Sequence, residues 1–116
     1  MVSRYKAHQE LVKKLRLALQ EEFPTGRSFE RHVGLFYRRN GTPIKINRKG
    51  MSDVWFVLNG LHFELECKTG SGALTEEQKM WRNVCETMGA YFIEARDTKE
   101  VIEEIKRVLH KKTQSE

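Results

Sequence analysis

The chain has 116 residues, 39% hydrophobic and 32% charged, with two cysteines and a formal net charge of +5. That length suits one domain with a single core, and no apolar run approaches a membrane span or a signal-peptide core, so a cytoplasmic protein without a membrane partner is expected. Cys67 and Cys85 lack CxxC spacing, which argues against a zinc site or a disulfide framework. Residues 1–50 carry 12 Lys/Arg against 4 Asp/Glu and residues 51–116 carry 9 against 12, an asymmetry that suits a polyanion partner as well as a merely solvated basic face.

Ser3 can cap a helix running to about Phe23, because Leu11, Val12, Leu15, Ala18 and Leu19 recur at helical spacing and Pro24 and Gly26 stop it. Glu10 lies beside that stripe, either facing solvent or pointing toward the sheet. From Ser28 to Arg39 the sequence reads as one strand of the central sheet, kinked or bulged at Gly34. Asn40-Gly41 marks a turn, and Thr42 to Gly50 reads as a basic loop holding Lys45, Arg48 and Lys49, placed to meet phosphates or simply solvated.

The segment from Gly50 to Gly70 is the informative one. Asn59-Gly60 predicts a two-residue type I′ hairpin turn, since both central positions need positive φ. Leu58 then opposes Leu61, and counting outward pairs Trp55 with Glu64 and Asp53 with Glu66. Alternation gives one apolar face of Val54, Phe56, Leu58, Leu61, Phe63, Leu65 and Cys67, and a second face of Asp53, Trp55, Val57, His62, Glu64, Glu66 and Lys68. Two opposed carboxylates roughly 5 Å apart repel by about 3 kcal/mol at an effective dielectric near 20. A raised pKa, a neighbouring cation or a bound metal can offset this, and an oxygen ligand set beside Lys68 favours Mg²⁺ or Mn²⁺ over zinc. His62 and Glu64 are secondary candidates for the site that also read as solvated strand residues or partners of the basic loop, and Trp55 reads as packing against the first helix rather than stacking a base.

Beyond Lys68 a flexible loop, Thr69 to Ala73, leads to Thr75-Glu76-Glu77-Gln78, a capping box. The helix it opens runs to Met88 and Gly89, and the strand Ala90 to Ala95 should lie parallel to Leu61–Lys68 across the crossover. Asp97 to Glu100 starts a last helix with the stripe Val101, Ile102, Ile105, Val108 and Leu109, and the polar tail from about residue 110 reads as frayed.

An acid at the start of a hairpin, Glu66-Cys67-Lys68 on its second strand and a crossover helix after it resemble the PD-(D/E)xK nuclease superfamily. Within it, Arg31 to Gly34, Gly50-Met51-Ser52-Asp53, Glu66 to Gly70 and Gln78 resemble the VRR-NUC (virus-type replication and repair nuclease) domains over nearly the whole chain, with Ser52 where many relatives have proline. The resemblance implies an α/β, restriction-endonuclease-like fold, a mixed sheet flanked by helices in the order α-β-β-β-α-β-α, occupying residues 1–116. It implies Asp53, Glu66 and the Cys67 carbonyl as ligands of Mg²⁺ or Mn²⁺, Lys68 acting on the attacking water, Gln78 completing the site and Glu10 as the acid of the first helix. DNA would meet Arg31, Arg38, Arg39, Lys45, Arg48, Lys49 and Ser71. Stand-alone members resemble homodimers that cut branched DNA such as four-way junctions. A non-catalytic nucleic-acid-binding subunit, a flap nuclease and a restriction-like enzyme are the alternatives.

Overall fold

A computed structural model describes residues 3–32, 34–46 and 49–115. Helix α1 spans Arg4–Glu22, and the Ser3 side chain accepts from the Lys6 amide at its start as expected. Five strands follow: β1 (Arg27–Glu30), β2 (Gly34–Tyr37), β3 (Pro43–Ile46), β4 (Val54–Leu58) and β5 (Leu61–Cys67). Then come α2 (Glu76–Thr87), β6 (Tyr91–Ala95) and α3 (Thr98–Ser115). The architecture is mixed α/β. The main sheet has the order β1-β4-β5-β6, antiparallel except for the β5–β6 pair, which α2 connects in parallel.

The hairpin register is the expected one, from Leu58 opposite Leu61 to Val54 opposite Leu65. Asn59 (φ 51°) and Gly60 (φ 79°) both take the left-handed conformation that the type I′ turn requires. The apolar face of β4 and β5 is buried against Val12, Leu15 and Leu19 of α1 and Val101 and Ile105 of α3. Each fully buried side chain of this kind contributes roughly 2 kcal/mol. A slip of one residue would turn the whole face to the opposite side, so a few kcal/mol of carboxylate repulsion on the other face cannot shift the register.

Three expectations need correction. Residues 28–39 are not one strand: β1 joins the main sheet, whereas β2 pairs with β3 in a separate two-stranded sheet, closed by the turn at Asn40-Gly41. Part of the expected basic loop is therefore strand β3, which includes Lys45, while Arg48 lies outside the described residues. The C-terminal tail is also helical to Ser115, with the Thr113 hydroxyl bonded to the Leu109 carbonyl. Both cysteines are buried free thiols, and burial pushes the Cys85 thiol up to about 11. Among the described residues no helix is long and apolar enough to cross a membrane.

Candidate active site

Asp53 sits one residue before β4, just past the last ladder pair, and its position is fixed from several sides. Its Oδ2 accepts from the Cys67 amide (2.9 Å) and lies 3.2 Å from His8 Nε2 on α1. Its backbone carbonyl accepts from the Arg31 amide (2.7 Å). Glu66 stands beside it on β5, only 4% exposed. Gln78 does two jobs at once: its side-chain oxygen accepts from the Thr75 amide, closing the capping box, while its side-chain nitrogen donates to Glu66 Oε1 at 2.9 Å. The other oxygen, Glu66 Oε2, is buried with no hydrogen-bond partner among the described residues.

Burial, and then the charge of Asp53, raise the Glu66 pKa from its ordinary 4.5 to about 8, against the opposing pull of Lys68. Glu66 is thus mostly protonated at neutral pH. Unpartnered buried carboxylate oxygens are costly, and this one belongs to the acid on which both Asp53 and Lys68 act electrostatically.

The structure leaves Glu10 out of this cluster. It is exposed, and two residues along a helix from His8 it points about 200° away. The first helix instead reaches Asp53 through His8. The sequence carries a trace of this, because His8 extends the buried stripe of Val12, Leu15 and Leu19 by one further turn. Among the described residues no three His, Cys, Asp or Glu side chains form a metal-holding group, so the site offers two carboxylates and not three.

Arg31, expected at DNA, is turned inward. Its side chain is 5% exposed, and the guanidinium pairs with the buried Glu64 at 2.6 Å and donates to the Ser52 carbonyl at 3.0 Å. It lies over the rings of Trp55 (4.6 Å) and Trp81 (5.5 Å). Trp81 Nε1 donates to Ser52 Oγ, and His62 bonds Glu64 from the outside. Glu64 is therefore a buried hub and not a solvated strand residue. Trp55 packs against Phe29 and Arg31 on the face opposite α1, not against α1 as expected. Together these groups clamp Ser52, and hence the backbone that presents Asp53.

Gly50 brings the start of this segment onto α2. It has φ +95°, and a Cβ there would lie 2.6 Å from the Glu77 carbonyl oxygen. Gly50→Ala is accordingly expected to cost about 1–3 kcal/mol through backbone strain and overlap, read as a lowered thermal midpoint. Lys49 next to it is largely exposed and pairs loosely with Glu77 at 3.6 Å. Arg38, Arg39 and Ser71 are exposed, as phosphate contacts require. Arg96, after β6, donates to the carbonyls of Gly70 and Gly72 and so holds the loop that carries Ser71.

No protein-family model and no curated protein sequence matches this chain.

Proposed function

We propose that this chain is a metal-dependent, structure-selective endonuclease of the PD-(D/E)xK type, VRR-NUC-like in its motifs and restriction-endonuclease-like in its core. In this reading it works inside the cell as a homodimer on branched DNA such as four-way junctions. One observation carries it: a buried Glu66 beside a partly exposed Asp53, with one Glu66 oxygen lacking a partner among the described residues and its pKa raised to about 8. A merely structural site would have no reason to retain this arrangement, which weighs against the non-catalytic reading.

The donor set fits a hard divalent cation. Mg²⁺ needs only one or two carboxylates and fills its remaining positions with water and phosphate oxygens, so the lack of a third acidic side chain is no obstacle. Asp53, Glu66 and the Cys67 carbonyl would hold the ion. When bound, it supplies charge neutralisation at the phosphate and a more acidic water. The chain supplies the rest. Gln78 holds one Glu66 oxygen and leaves the other without a partner among the described residues, and the Cys67 amide and His8 hold Asp53 Oδ2. Lys68 provides positive charge for the oxygen that becomes more negative as the phosphate is attacked. Exposed Lys49, beside Gly50 on the segment leading to Asp53, adds positive charge to the approach.

Labelled duplex, flap and four-way-junction DNA incubated with Mg²⁺, Mn²⁺ or EDTA test this directly. Cleavage is expected in metal only, with Asp53→Ala and Lys68→Ala each losing at least a hundredfold in rate. Absence of cutting on every substrate, or full activity in Asp53→Ala, would overturn the catalytic reading.

A further inference from the structure

Tyr5, His8, Gln9 and Lys13 share one face of α1, and with His32 and Asp53 they line part of a cavity of about 200 Å³ that reaches Asp53. Tyr5 is 73% exposed, yet its hydroxyl is held by the Gln9 side-chain nitrogen at 2.9 Å. A large ring fixed in position but left uncovered offers a free stacking surface. Lys13 stands two turns further along the same face, and Glu30 on the cavity wall is neutralised by Arg16 at 3.0 Å. An aromatic face paired with a cation is how proteins hold single-stranded nucleic acid, because every base has a π-face and every linkage a charge.

We propose that this cavity is a subsite for one unpaired nucleotide, its base stacked on Tyr5 and its phosphate facing Lys13. Its position next to the scissile phosphate rests on the nuclease reading above; the stacking itself does not. A fully paired duplex keeps its bases stacked on one another and cannot fill the cavity. The subsite would therefore favour DNA with a splayed or unpaired nucleotide, which is what branch points and frayed ends present.

The test is binding, measured in EDTA so that no cleavage intervenes. Fluorescence anisotropy would compare a splayed-arm DNA with a blunt duplex of the same length for the wild type, Tyr5→Ala and Tyr5→Phe. Tyr5→Ala is expected to bind the splayed-arm DNA roughly tenfold more weakly and the blunt duplex unchanged, while Tyr5→Phe keeps wild-type affinity. An abasic nucleotide scanned through the unpaired arm should reproduce the loss at one position and add nothing further in Tyr5→Ala. Equal losses on both DNAs, additive losses, or no loss at all would overturn the subsite. If the Tyr5 and abasic effects appear but no substrate is cut in Mg²⁺ or Mn²⁺, the subsite stands and the nuclease reading fails.

Discussion

Glu66→Gln is expected to give a protein that is more stable than the wild type above pH 8 and that no longer binds a divalent metal. The folded state holds the Glu66 proton up to about pH 8, whereas an ordinary glutamate releases it near 4.5. Between those values the unfolded chain binds fewer protons than the folded one, so the wild type loses stability as pH rises through that window. At 1.36 kcal/mol per pKa unit the loss is on the order of a few kcal/mol. A glutamine keeps an acceptor for the Gln78 amide and stays neutral at every pH, so it avoids the cost. Denaturant unfolding in EDTA at pH 5 and pH 8.5 should show the variant gaining on the wild type at the higher pH only, and Mn²⁺ calorimetry should show binding lost. Equal stability differences at both pH values would mean that the carboxyl carries no burial cost. A residue whose removal stabilises the fold and abolishes its chemistry is the pattern expected of a functional group.

The second large effect concerns Arg31. Arg31→Met is expected to cost about 3–5 kcal/mol in chemical denaturation, because it leaves Glu64 buried without its cation. The double variant Arg31→Met/Glu64→Leu should recover most of that stability, since two apolar residues replace a desolvated pair. Function should not recover with it. The guanidinium also holds the Ser52 carbonyl, and without it the segment leading into Asp53 loses a support, so metal affinity is expected to stay at least tenfold down. Full recovery of metal binding would show that the pair matters only for folding.

The legible parts of the sequence were those governed by short-range rules. Asn59-Gly60 sets a turn with one register, and strict alternation then assigns both faces of β4 and β5, so the approach of Asp53 to Glu66 could be counted from the turn. Thr75 and Gln78 define a cap through three residues of spacing. Other features depended on contacts between distant segments. A glycine inside a β-rich stretch signals either a bulge or a break, and Gly34 proved to start a strand whose partner is β3. Glu64 looked solvated because its only near neighbour in sequence able to pair with it was His62, two residues away; the arginine that buries it, Arg31, lies 33 positions earlier in the chain. Glu10 and His8 could be separated only by extending the α1 stripe toward its first turn. The polar end of α3 looked frayed because it buries nothing, although a helix already formed can propagate through polar residues at little cost.

Gln78 joins two otherwise separate structures, the opening of a helix and the buried carboxyl of Glu66, through the two ends of a single amide. The bond at each end selects the same rotamer and leaves no choice about which atom faces which partner. The glycine-rich loop between Lys68 and Thr75 thus has no part in measuring the distance across the site, because Glu66 is tied directly to the helix and Arg96 pins the loop from outside. Changes in its length and composition should therefore leave the spacing between the carboxylate and the helix constant.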